Sequence, residues 1–380
     1  MDDLFENFEN VEEIEIRYKY LKMLFIPNLR KFNILKILLI SHNNISVLPI
    51  LPDSLEILNC HNNILKILPT LPINLKALNC SFNELKSLPE LPNTLIDLYC
   101  VRNKIEELPL LPDKLLTITC NSNKLTSLPI LPPKLKYLEC SVNNIFEIPL
   151  LPDTLEELLC VRNNLIKLPL LPDNLKILDC SFNNLTNIIL SNNLVELNCS
   201  NNYLKSIPIL PNTLYILDCS SNILTELPLL PDSLKIIYCG SNNLLELPLL
   251  PDELEVIYCS NNNLRRISLL PNSLEILKCK NNMLVILPQY IPNNCLLSYS
   301  NNPIYEIIDS DNIHIINKKL KLLYEFRTLF YSLKFKEKFR FKLWEKIRKP
   351  KIIEKYHPNN LYKLLSNNKT DNIFDIIQKW

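Results

Sequence analysis

Twelve cysteines keep a near-constant beat along this chain, and that beat constrains the fold more than any other feature. Cys60, Cys80, Cys100, Cys120, Cys140, Cys160 and Cys180 stand twenty residues apart; one step of nineteen reaches Cys199, and Cys219, Cys239, Cys259 and Cys279 resume the twenties. A period of this size, held this long, belongs to a stack of short supersecondary units in which neighbours bury one another's apolar residues. A length of 380 residues would otherwise suggest two or three globular domains. The repeat instead predicts one elongated domain with appended ends.

From its first leucine the unit reads L-x-x-L-x-C-x-x-N-x-L-x-x-L-P-x-L-P-x-x, as in Leu55, Leu58, Cys60, Asn63, Leu65, Leu68-Pro69 and Leu71-Pro72. The register runs back to Leu35, with Ile40 in the cysteine slot, and forward to a degraded unit with Leu297, Tyr299, Asn302 and Ile304. All fourteen units keep the asparagine. One unit loses a residue and both prolines between Ile188 and Asn193.

Each slot has a physical reading. Leu55, Leu58, Cys60 and Leu65 form an inward set that a lone unit has no means of burying. The x-L-x-C segment alternates in and out, as a strand requires. Asn63, Asn83, Asn103 and their equivalents stand where the chain leaves the strand, and an asparagine amide bonds local backbone and tolerates left-handed geometry. With one glycine in the chain, Gly240, that geometry is expected at the asparagines. The L-P-x-L-P run lacks two donors, favours extended or polyproline backbone, and is placed on the convex side.

These residues resemble the leucine-rich-repeat family over residues 35–304, and are similar to the short, proline-paired repeats of effectors from enteric bacteria. The resemblance implies a curved solenoid, a parallel sheet on the concave face, and a sheet that binds protein. Some such effectors carry a C-terminal ubiquitin ligase with a catalytic cysteine. No cysteine follows Cys295, so a thioester mechanism does not carry over, whereas an adaptor role in a host ubiquitin pathway stays open.

The cysteines themselves admit several readings. A straight file of thiols does not converge tetrahedrally on zinc, and in-register side chains are badly posed for disulfides. A nucleophilic cysteine needs exposure and a lowered pKa. The preferred reading of Cys60, Cys80, Cys100 and their successors is a structural ladder of small hydrophobes. One glycine also excludes Gly-rich phosphate loops and the G-x-S-x-G elbow. His42 and His61, in consecutive units, form a conceivable two-histidine metal pair against a preferred reading as solvated surface. No cofactor, metal or catalytic residue is expected.

The outward strand slots are the third and fifth of each unit. They present Asp97, Tyr99, Tyr137, Glu139, Glu157, Asp179, Glu196, Asp218, Tyr238 and Tyr258. Six of these are carboxylates, with Lys278 the nearby base and Arg102 and Arg162 at the edge. Tyrosines supply the amphipathic area enriched at interfaces. The expected function is a non-enzymatic scaffold that docks a protein segment of basic or mixed charge on this strip.

The ends differ from the repeats. Residues 1–34, with seven acids and no base in the first fifteen, suggest an N-terminal cap. They lack the apolar run of a signal peptide, and no long apolar run spans a membrane, so an intracellular protein is expected. Residues 305–380 suggest a helical basic region. Leu320, Leu323, Phe326, Leu329, Phe330 and Leu333 recur at helical spacing, and residues 317–356 hold fourteen Lys or Arg against four acids. Pro350 and Pro358 are expected to break this helix, and Asp371–Trp380 to form a last short one. A basic aromatic segment suits nucleic acid, an acidic membrane surface or a calmodulin-like partner. The preferred reading is a cap whose apolar face seals the last repeats. Residues 339–361 resemble a tail found on proteins of amoeba-infecting giant viruses, similar to those of mimiviruses, which implies viral origin rather than mechanism.

Overall fold

The computed structural model describes residues 11–16, 29, 32–355, 357, 359–360 and 363. The chain divides into two units, Met1–Ile313 and His314–Trp380.

In the first unit, fifteen three-residue strands form one parallel sheet in sequence order among the described residues, from β1 (Glu13–Glu15) and β2 (Ile37–Leu39) to β15 (Leu296–Ser298). In every strand but β15 the central residue is buried, and most of the flanking residues are half-buried, as in Asp97–Tyr99 and Ile236–Tyr238. The inward slots close the core: Leu55, Leu58, Cys60 and Leu65 are fully buried, and so are their equivalents from Leu35 to Leu284. The ladder continues past the strand, because each cysteine N–H from Cys60 to Cys279 bonds the next rung's fifth-slot carbonyl (Cys60 to Asn79, 2.8 Å). After each L-P-x-L-P run the leucine N–H bonds back to the second proline's carbonyl (Leu55 to Pro52, 3.1 Å), which returns the chain to the sheet. The shortened unit leaves the register intact: β9 (Ile177–Asp179) meets β10 (Glu196–Asn198) with Leu178 opposite Leu197.

The sheet begins one strand earlier than the repeat pattern does. Glu13–Glu15 pairs in parallel with Ile37–Leu39, so the acidic N-terminal segment contributes an edge strand although it carries no repeat. At the other end, α1 (Pro303–Ile308) buries Ile304 and Ile308, and the buried Tyr299 donates its hydroxyl to the Ser310 carbonyl at 2.7 Å.

The asparagines do not take the left-handed conformation. That conformation falls on the residue before each of them, fourteen times from His42 to Asn301, with φ between 48° and 58°. The asparagine side chain is the reason. Asn143 donates to the carbonyls of Cys140, Ser141 and, one rung back, Cys120, and accepts from the Leu125 N–H. To aim one amide at four backbone groups, the turn must tighten at the preceding residue. That slot holds even Val142, where a β-branched side chain at φ 55° costs about 1–2 kcal/mol. Gly240 is not in the left-handed region. A Cβ there would stand 3.0 Å from the Ser260 carbonyl oxygen, so its smallness serves close rung packing.

In the second unit, α2 (Ile313–Leu343) runs into a π-helical turn (Trp344–Arg348) and α3 (Lys349–Lys355). Pro350 therefore does not break the helix. The wider turn, closed by the Lys349 N–H on the Trp344 carbonyl, absorbs the donor that proline lacks and the clash of its ring. Ile316 and Leu320 are buried, but every described side chain from Lys321 to Lys355 is exposed, including Phe326, Leu329, Phe330 and Leu333. Pro358 and the helix expected over Asp371–Trp380 lie outside the described residues. Among the described residues, no helix is long and apolar enough to cross a membrane.

Candidate functional site

The sheet face presents the third and fifth slots as two parallel rows, and all ten residues singled out above lie on it half-buried. Register fixes their neighbours. Tyr137 lies beside Thr117 and Glu157, and Glu139 between Thr119 and Leu159. The Tyr137 hydroxyl donates to Glu139 at 3.4 Å. Further on, Asp179 accepts from the Ser181 hydroxyl at 2.6 Å and from the Asn198 amide at 3.0 Å, and Asp218 accepts from the Ser220 hydroxyl at 2.6 Å. These bonds hold both carboxylates in place at the C-terminal ends of their strands. Tyr238 and Tyr258 pack ring to ring, centroids 5.0 Å apart and planes at 43°. Arg102 and Arg162 do not reach the strip's centre. Each stacks on a phenylalanine of an adjoining rung, over Phe82 at 5.3 Å and Phe182 at 4.8 Å.

The electrostatics follow from partial burial. Tyr137 is pushed up to about 12, by burial and then by Glu139 and Glu157. Tyr99 shifts upward by burial and the charge of Asp97. Burial also raises the Glu139 carboxyl, partly offset by the Tyr137 hydroxyl. A carboxyl with a higher pKa folded than unfolded favours the fold while protonated and loses that contribution as pH rises through the folded value. Glu139→Gln should therefore raise the thermal midpoint at about pH 7 and leave it nearly unchanged at about pH 3 by calorimetry. A lower midpoint at neutral pH would contradict this account.

The thiols lie behind the strip. All thirteen are free and buried. Burial raises Cys60, Cys100 and Cys140 to about 12 and Cys295 to about 11, far from the lowered values of nucleophilic cysteines. Iodoacetamide is expected to leave the native chain unmodified at about pH 8, where the thiolate fraction is negligible, and to label every cysteine after unfolding. One native adduct by mass spectrometry would contradict the burial of the thiols.

Against solved structures, the chain is similar to YopM from Yersinia enterocolitica, with 34% identity, TM-score 0.65 and coverage of 73% of this chain and 71% of that one. It is similar to YopM from Yersinia pestis, a leucine-rich effector protein, with 32% identity, TM-score 0.64 and coverage of 77% and 78%. The chain belongs to the leucine-rich-repeat family. The functional domain of InlJ from Listeria monocytogenes, which includes a cysteine ladder, shares the fold at 24% identity and TM-score 0.61, over 78% and 64%. No protein-family model matches the sequence, and no curated protein does.

Two features of this leucine-rich-repeat sheet were missed in the outward slots. In the C-terminal half the third slot is a run of half-buried aliphatics, Ile216, Ile236, Val256 and Ile276, beside the fifth-slot row of Asp218, Tyr238 and Tyr258. Slot periodicity alone would have found it. In the centre, Thr119 is buried on this face with its hydroxyl oxygen lacking a hydrogen-bond partner, which no sequence pattern signals. His42 and His61 do meet, Nε2 to Nε2 at 2.9 Å, with the His61 Nδ1 on the Asn59 amide oxygen and the His42 Nδ1 on the Asn62 amide. Among the described residues, no cluster of three or more His, Cys, Asp or Glu is placed to hold a metal ion.

Proposed function

We propose that the protein is an interaction scaffold that docks an extended or flat protein segment on the concave sheet, with Tyr238 and Tyr258 as anchors. The observation that carries this reading is their ring packing at 5.0 Å beside the aliphatic row of Ile236 and Val256. It is a rigid aromatic and apolar patch next to the Asp218 carboxylate. Such a patch takes an apolar side chain and a neighbouring cation of the partner, and the carboxylates from Asp97 to Asp218 favour a basic or mixed-charge partner. Asp97, Tyr99, Tyr137, Glu139, Glu157, Asp179 and Glu196 form the rest of the proposed contact surface. Likeness to a leucine-rich effector protein supports action as an adaptor inside another organism's cell, with a ubiquitin pathway one such setting, and a viral origin would place it in a host cytoplasm or virion.

The test is affinity capture with full-length chain. Proteins retained by the wild type should be lost by Tyr238→Ala/Tyr258→Ala, since truncating a central aromatic anchor costs about 2 kcal/mol or more. Unchanged affinity of a captured partner would remove the anchor role.

A second reading rests on the exposed α2 helix, whose basic and aromatic side chains are uncovered. It is nucleic-acid or acidic-membrane binding, and it requires affinity that falls steeply with salt and vanishes on deletion of residues 317–356.

A further inference from the structure

The x of L-P-x-L-P is a leucine or isoleucine on rung after rung, and it points into solvent. Leu110, Ile130, Leu150, Ile209, Leu229 and Leu269 are 79–90% exposed. Leu170 and Leu249 continue the row at 73% and 79%. In the shortened unit, where both prolines are gone, Ile189 takes the outward place at 67%. The row therefore runs unbroken over nine rungs, and it ends in polar residues, Glu90 on one side and Gln289 on the other. We propose that this stripe is the interface through which two copies of the chain associate.

Area supports the proposal. At about 25 cal/mol per Å2, the roughly 2.5 kcal/mol of a fully buried leucine corresponds to about 100 Å2 of side chain, so nine rungs offer roughly 900 Å2. The largest apolar patch on an ordinary monomer is about 300–600 Å2, and a standard interface takes about 800 Å2 from each partner. The stripe exceeds the first and meets the second.

Pitch and charge select the occupant. Rungs of a parallel sheet repeat at about 4.8 Å, whereas successive turns of a helix repeat at about 5.4 Å and slip out of step along a row this long. The same stripe on a second copy has the matching period, and a two-fold axis sets it against itself. Three residues after the stripe the exposed Asp113, Asp153, Asp173, Asp232 and Asp252 form an acidic flank. That flank repels an anionic lipid surface but stays solvated at the rim of a dimer.

Sedimentation velocity on the full chain tests this. The wild type should shift from 44.3 kDa to twice that mass as concentration rises. The search extends to about 100 µM, above the micromolar range in which weak interfaces of standard size associate. Leu150→Asp/Leu229→Asp should stay monomeric throughout with an unchanged far-UV spectrum, because both side chains touch solvent and not the core. Phe330→Asp/Phe339→Asp on α2 and Tyr238→Ala/Tyr258→Ala on the sheet should still dimerise, which separates this inference from the proposed docking face. A wild type monomeric over the whole range overturns the proposal. So does a dimer that survives the stripe substitutions or is abolished only by those on α2, and so does stripe-dependent co-sedimentation with neutral phosphatidylcholine vesicles by a monomeric chain.

Discussion

Asn143→Asp should lower the stability of the repeat unit by about 3–5 kcal/mol at neutral pH, although the two side chains have the same shape. The amide nitrogen of Asn143 donates to three carbonyls, those of Cys120, Cys140 and Ser141. A carboxylate oxygen in that place presents charge to three acceptors and has no proton to give. The Leu125 N–H keeps its partner, so the loss comes from the donor side alone. Asn143→Ala orphans the Leu125 N–H and leaves the carbonyls of Cys120, Cys140 and Ser141 their second donors, from Asn123, Asn163 and the Ser122 N–H, so it should cost about 1–3 kcal/mol without adding charge. The order of the two variants is the decisive result. Urea unfolding followed by far-UV circular dichroism should place the aspartate variant below the alanine variant at neutral pH. The gap should narrow in acid, where a protonated carboxyl donates once. Equal midpoints at both pH values would mean that the amide donors do not hold the stack.

Leu158→Ala should cost about 2–5 kcal/mol and divide the cooperative unfolding of the solenoid. Leu158 is fully buried mid-stack, in register with Leu138 on one side and Leu178 on the other. In a one-dimensional stack each rung is stabilised only by its neighbours, so a weakened central rung uncouples the two halves. Hydrogen exchange read by mass spectrometry should show the rungs on either side of Leu158 opening separately, where the wild type opens over a longer span. The control is eight residues away. Leu150 is 82% exposed, and Leu150→Ala should change stability by no more than about 0.5 kcal/mol. If both truncations cost the same, slot position does not govern burial in this chain.

Much of the architecture was legible because the repeat multiplies a weak local signal. One L-x-x-L-x-C segment is too short to distinguish strand from turn, but stacked in register every slot must have the same burial on every rung. The cysteine beat therefore marked the inward set, and by alternation the outward slots that carry Tyr137, Asp218 and Tyr238. The anchors' ring packing was only half legible. Register placed Tyr238 beside Tyr258, but the rotamers that bring the rings together answer to side-chain packing.

The left-handed turn was misassigned because its compositional mark, asparagine at five of fourteen positions, is weaker than that of the invariant asparagine after it. Its slot holds Phe82, Arg102, Val142 and Ser241 alike, and the demand comes from the asparagine that follows, whose amide has to reach backbone on two rungs. The helical tail was legible as an element. Its spacing predicted a helix correctly, and α2 carries Leu329 and Phe330 as exposed side chains. Pro350 was read as a stop because proline removes a donor; a π-turn just before it supplies another way to absorb that loss.

By itself, the amino-acid sequence determined the stack, its register and the buried ladder, since a twenty-residue unit with one apolar face has no stable alternative to burying that face on its neighbours. Tertiary structure decided which way the proline segment turns its free leucine or isoleucine, and which backbone residue bears the strain of the turn. Neither has a local period to announce it, because both are set by hydrogen bonds and contacts between one rung and the next.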